Sequence, residues 1–398
     1  MNATKLFREF FNSEKSSGIL LIVCTVASLL LSNFFIGERY VDFWHQKAGF
    51  IIGNINLRLS IEHWINDGLM TIFFLMVGLE IERELYTGEL SDIKNASLPV
   101  IAAIGGMAIP ALFHFALNAG TVTQSGFGIP MATDIAFALG ILSLAGKRVP
   151  LALKVFLTAL AIIDDLGAIM IIAIFYTNAL QTTYLFIALG IFALLLVLNR
   201  LRVHQLIWYI IGGIVMWYCM LQSGVHATIT GVLLAFAIPF GDGKEKSPSY
   251  ILQHWLHKPV AFVIVPLFAF ANTGIIFSGS LDEVLLNDNS LGIIAGLVLG
   301  KPVGILILCF IAVKLRLGKL PEGVNWLQLA GAGILAGIGF TMSIFITLLA
   351  FNDDNVIQHS KIAILFSSLV AGVIGFMIIK KATKQSPMAD GKKEGGYN

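Results

Sequence analysis

Charge is what this chain has little of. Asp, Glu, Lys and Arg make up 13% of its 398 residues, about half the share found in an average soluble domain. The 24 acids and 26 bases nearly cancel, leaving a formal net charge of +2. A surface this poor in charge excludes an ordinary soluble domain, and a balance this even offers nucleic acid nothing to hold. The cysteines, Cys24, Cys219 and Cys309, all sit in apolar runs, without pairing or metal-ligand spacing. No disulfide framework or thiolate metal site is therefore expected.

What is abundant is apolar sequence, with 57% hydrophobic residues and a mean hydropathy of +0.84. Twelve stretches reach the length that crosses a hydrocarbon core, about 17 to 25 residues: 18–36, 64–82, 97–117, 126–145, 149–176, 183–199, 206–222, 224–240, 250–276, 291–313, 327–351 and 360–380. The chain thus reads as an all-α polytopic membrane protein, a single transmembrane domain over 1–398, with 384–398 a disordered basic tail. Lys and Arg concentrate in alternate connections: Lys5, Arg8, Lys15; Arg83, Lys94; Lys147, Arg148; Arg200, Arg202; Lys244, Lys246, Lys258; Lys314, Arg316, Lys319; and the tail. The opposite set holds only Arg39, Lys47, Arg58 and Lys361, so the positive-inside rule puts both termini in the cytoplasm. The first span follows a basic start as a secretory signal would, but eleven further spans make it an uncleaved anchor. In one outer connection, "GFIIGNINLRLSIEHW", Gly53-Asn54 separates two alternating runs, which predicts a β-hairpin able to pair with a second copy.

Ionisable residues at bilayer depth are costly and mark function. Here the deep ones are Asp134, Asp164, Asp165 and Lys301, with Glu80 and His226 nearer span ends. On a helix Asp164 and Asp165 diverge by about 100°. Thr158, Ala161, Asp165 and Ala168 form a small, polar stripe that should face the bundle interior. Two carboxylates this close and poorly solvated titrate as a coupled pair, while a bound cation favours both ionised forms. Such a site takes protons or a hard cation, but not both well.

"GIPMATDIAFALG", residues 128–140, reads as an interrupted helix, with Thr133 or Asp134 capping a new half-helix after Gly128 and Pro130. "GAGILAGIGFTMSIFI", residues 331–346, is a second candidate break. Overlaying them puts Gly337 on Gly128, Ser343 on Asp134 and Ile344 on Ile135. Interrupted helices in matching positions of two halves point to a transporter's binding site. Lys301, in "GLVLGKPVGI", needs an anionic partner, either aspartate of the pair or the negative ends of the half-helices. The same stretch misses a phosphate-binding loop in glycine spacing and in Pro302, so no ATP coupling is expected.

"ATDIAFALG", "LALKVFLTALAIIDDLGAI", "SGVHAT", "PLFAFANTG", "GIIAGLVLGKPVGI", "LPEG" and "GIGFTMSIFI", in this order, strongly resemble the NhaA-type Na⁺/H⁺ antiporters over nearly the whole chain. The resemblance implies twelve helices in inverted repeats, two of them crossing and unwound, a homodimer that uses the hairpin, and a bacterial inner-membrane location. It implies export of one Na⁺ or Li⁺ for two H⁺, with no cofactor and no enzymatic activity. Carried over residue by residue, Asp164 and Asp165 hold the cation and protons, while Thr133, Asp134 and Lys301 balance charge, the lysine also as a proton carrier with Asp164. The implied pH-sensing set is Glu80, Arg83, Glu84, His226, His254 and His257. The chain departs from the family at Gln253, where a glutamate is expected, and at Glu82, where a lysine often stands. Two other classes stay open from the residues alone. A Na⁺-coupled solute symporter would need an extra polar pocket, and an intramembrane aspartyl protease would place its aspartates on separate helices.

Overall fold

The computed structural model describes residues 3–385 apart from 53–54, 147, 178–179, 242, 245 and 277–279. The tail beyond 385 and the Gly53-Asn54 turn lie outside the described residues. α1 (Ala3–Leu30) passes through a π-helical turn into α2 (Glu38–His45). The hairpin follows as two short ladders, β1 (Lys47–Ala48) with β4 (Leu59–Ser60) and β2 (Ile51–Ile52) with β3 (Ile55–Asn56), both antiparallel. Between the ladders Gly49 has φ +128°, and a Cβ there would stand 2.0 Å from the Leu57 carbonyl oxygen. Only glycine lets the two strands pass so closely.

The rest is helical: α3 (Ile61–Tyr86), α4 (Ile93–Leu117), α5 (Ile135–Leu144), α6 (Leu151–Phe175), α7 (Thr182–Arg200), α8 (Leu206–Ser223), α9 (Ile229–Ala237), α10 (Pro248–Asn272), α11 (Asp288–Lys314), α12 (Trp326–Ala336), α13 (Phe340–Ala350) and α14 (Asp354–Gln385). Among the described residues ten helices are long and apolar enough to cross a membrane, and α12 with α13, bent by 42°, makes an eleventh. The chain is a multi-pass membrane protein. The expected span 224–240 is missing from this count because it is only partly helical. Gly224, left-handed at φ +84°, ends α8, a turn carries the chain to Thr228, and extended Ile238 before Pro239 stops α9 after nine residues. Nine residues rise about 14 Å, half a bilayer core.

Burial separates centre from periphery. In the spans Ile61–Tyr86, Gln124–Leu144 and Leu151–Phe175, 61% of the apolar window is buried, against 11% in α7. α7 turns Phe186 and Leu194 outward, as lipid contact requires. At the centre α4 and α11 approach until a Cβ on Gly304 would stand 2.1 Å from the Gly105 carbonyl oxygen. Small residues allow such backbone contact where no hydrophobic effect drives helices together. Lys301 is therefore fixed on a helix packed backbone to backbone against its neighbour.

Candidate functional site

The site begins with two helices that fail to continue. From Gln124 to Met131 the chain is a 3₁₀ helix containing Pro130; Ala132 is extended, and α5 starts only after Asp134. The second break falls between Ala336 and Phe340. The two breaks meet and exchange bonds. Asp134 N–H donates to the Ile338 carbonyl at 2.7 Å, and Ser343 Oγ donates to the Ile129 carbonyl at 2.7 Å. The overlay of Gly128 on Gly337 thus corresponds to segments that meet in space.

Asp134 caps both half-helices. Its Oδ1 accepts from Phe137 N–H at 3.0 Å, and its Oδ2 accepts from Thr341 N–H at 3.1 Å and from the Thr341 hydroxyl. A carboxylate at two helix N-termini satisfies orphan amides and offsets their partial positive charge. Sequence reasoning named Asp134 and Thr133 as alternative caps. The structure gives the cap to Asp134 and sends Thr133 elsewhere.

Thr133 Oγ1 lies 2.8 Å from Asp164 Oδ2 and 2.9 Å from the Ala336 carbonyl oxygen. With one hydrogen, the hydroxyl donates to one of them at a time. Lys301 Nζ is 2.8 Å from the same Asp164 oxygen and also donates to the Met131 carbonyl. Lys301 stands just after a π-helical turn, Ala295–Gly300, a widening that recurs at functional sites. Asp164, Lys301 and Thr133 are fully buried, and Asp165 and Asp134 are 2% exposed. Of the two choices open from sequence, Lys301 takes Asp164. Asp164 Oδ1 and Asp165 Oδ1 have no hydrogen-bond partner. Two buried carboxylate oxygens left bare are costly, and a cation or protons would satisfy them. No group of three or more His, Cys, Asp or Glu able to hold a metal ion occurs among the described residues. This pair with hydroxyl and carbonyl oxygens suits a hard monovalent ion held by few charges.

The six residues of the pH-sensing expectation do not form one cluster. Arg83 Nη2 lies 3.6 Å from Glu80 Oε1 and 3.3 Å from Glu84 Oε1, at the end of α3 away from the hairpin. His257 is half-buried on α10, and exposed His254 stacks on Tyr250. His226 is at the other end of α3, its Nδ1 3.9 Å from Asp67 Oδ1, while His63 Nε2 is 2.8 Å from Asp67 Oδ2. Thirteen helical steps from Asp67 to Glu80 separate the groups by about 20 Å. Sequence reasoning missed Asp67 and His63, whose four-residue spacing on one helix face was the available signal. It also left Thr341 and the Met131 carbonyl out of the site. A hydroxyl in the first turn after the second break was the signal for Thr341.

With this geometry in place, comparison with known proteins decides the family. The family model described as Na⁺/H⁺ antiporter 1 matches residues 8–379. The chain belongs to that family. Relatives named Na⁺/H⁺ antiporter NhaA include one from Flavobacterium psychrophilum, 61% identical over 97% of this chain and 98% of the relative. Another, from Dechloromonas aromatica, is 59% identical over 94% and 95%, and one from Helicobacter pylori is 45% identical over 97% and 98%. Members of this antiporter family are transporters, not enzymes, and the chain spans nearly the full length of these relatives.

Proposed function

We propose that the chain exports Na⁺ or Li⁺ in exchange for H⁺, two per cation, by competition at one carboxylate pair, with rate set by pH. The observation that carries this reading is the buried pair of bare oxygens, Asp164 Oδ1 and Asp165 Oδ1, beside an ammonium already bonded to Asp164. When Na⁺ enters, Asp165 and Asp164 are its charged ligands and Thr133 and nearby carbonyls its neutral ones. When protons enter, Asp165 takes one, and Asp164 with Lys301 takes the other as the pair separates or rejoins. Asp134 stays with the two half-helices and balances their charge. The cation is cargo, and no resident cofactor has a role. Glu80, Arg83, Glu84, His254 and His257 set the pH response at one end and His226 at the other.

Two H⁺ for one Na⁺ moves one net charge, worth about 2.3 kcal/mol per 100 mV, or between one and two decades of Na⁺ gradient. Membrane potential alone then drives export, in a bacterial inner membrane with both termini cytoplasmic. The crossing half-helices and the hairpin support an alternating-access homodimer paired through β1–β4. The test is proton flux in proteoliposomes after a Na⁺ pulse, from pH 6 to 9, with and without an imposed potential. Flux that rises with pH and responds to the potential is expected. Flux that needs an added organic solute would replace this reading by symport, and flux indifferent to voltage would remove the two-for-one exchange.

A further inference from the structure

One buried acid has no part in the exchange just described. Glu82 lies on α3 with 5% of its surface exposed, and its Oε2 is buried without a hydrogen-bond partner. Its surroundings follow from the contacts that bracket it. Earlier on the same face, a Cβ on Gly231 of α9 would meet the Thr71 carbonyl oxygen at 2.2 Å, and a Cβ on Gly78 would meet Ala235 Cβ at 2.6 Å. One turn later, the Tyr86 ring lies 4.9 Å from that of Phe240. Glu82, one turn past Gly78 and one before Tyr86, therefore comes level with the stretch from Phe236 to Pro239, where α9 ends. Helix C-termini present carbonyl groups and partial negative charge. A carboxylate is repelled there, whereas a carboxylic acid donates a hydrogen bond.

We propose that Glu82 is a proton-binding switch: protonated, it bonds to a carbonyl at the end of α9 and clamps α3 against it; ionised, it releases that end. α9 and residues 238–240 bring no titratable group to this corner. The charged and titratable groups on the elements around it are Glu80, Arg83 and Glu84 on α3, Lys244 and Lys246 in the loop between α9 and α10, His254, His257 and Lys258 on α10, Asp92 after α3, Lys154, Asp164 and Asp165 on α6, and Arg200, Arg202 and His204 at and after the end of α7, whose Asn199 donates to the Ala237 carbonyl. Glu80, Arg83 and Glu84 are joined to each other. Because α3 carries that ion group, its release couples loss of the Glu82 proton to the same end of the bundle. The inference rests on the pH-regulated exchange proposed above and adds the residue that locks the carrier at acid pH.

The experiment compares wild type, Glu82→Gln and Glu82→Ala in proteoliposomes by Na⁺-driven proton flux against pH. Glutamine keeps a donor and cannot ionise, so its half-activation point moves to higher pH by about half a unit or more. Alanine has neither donor nor charge, so its half-activation point moves to lower pH. Midpoints that stay in place, or that shift in the same direction, overturn the switch. If alanine prevents folding, the glutamine variant still decides by its direction. Infrared difference spectra of wild type minus Glu82→Gln give a readout that does not depend on transport. A protonated-carboxyl C=O band that fades as pH rises supports the switch, and its absence overturns it. Wild type that shows this band but no Na⁺-driven flux would overturn the exchange reading alone.

Discussion

In the proposed exchange, Asp165 is the residue on which transport stands. It is 2% exposed and carries a bare carboxylate oxygen. Asp165→Asn is expected to abolish Na⁺-driven proton movement in proteoliposomes, and full exchange by that variant would remove Asp165 from the site. Thr133 makes a finer test, because its hydroxyl has two competing acceptors, Asp164 and Ala336. Thr133→Val should weaken apparent Na⁺ affinity about 10- to 100-fold, the range of a hydrogen bond to a charged group, while Thr133→Ser should restore most of it. A loss in Thr133→Ser with little in Thr133→Val would mean that the methyl group, not the hydroxyl, matters.

Helices decide whether those residues meet. Gly304 and Gly105 bring α11 and α4 into backbone contact, and Lys301 lies one turn before Gly304. Gly304→Leu should destabilise the protein by about 1–3 kcal/mol, as overpacking does, read as a lower thermal midpoint in detergent, and should reduce exchange by displacing Lys301. Much of this layout was legible in the sequence. Asp164 and Asp165 stand out because a lipid span has no other reason to hold them, and Gly128, Pro130 and Asp134 announce a break through backbone chemistry. The hairpin was legible for the same local reason, its turn dipeptide. Pairing between distant elements was not. Whether Lys301 takes Asp164 or Asp165 depends on how α11 rotates against α6, and the Thr341 bond to Asp134 on how two breaks meet. Neither leaves a trace in local periodicity. The shortness of α9 was hidden because apolar composition is the same in a helix and in the extended stretch after it.

At the scale of the whole molecule, the hairpin and the driving force are the open tests. The β1–β4 ladder spans two residues on each strand and leaves strand edges that a second copy would cover. Deleting residues 47–60 should shift the protein from dimer to monomer in light scattering while leaving exchange by each protomer measurable. A deletion variant that remains dimeric would place the interface elsewhere. The central claim, that Na⁺ and protons contend for one carboxylate pair, is tested most directly by Na⁺ binding to the purified wild-type protein as a function of pH. Each proton displaced weakens apparent Na⁺ affinity about tenfold per pH unit below the titration of the pair, so affinity should fall steeply as pH is lowered from 9 to 6, with proton release on Na⁺ addition. Na⁺ affinity that is flat across this range, with no proton released, would mean that the two ions occupy separate sites.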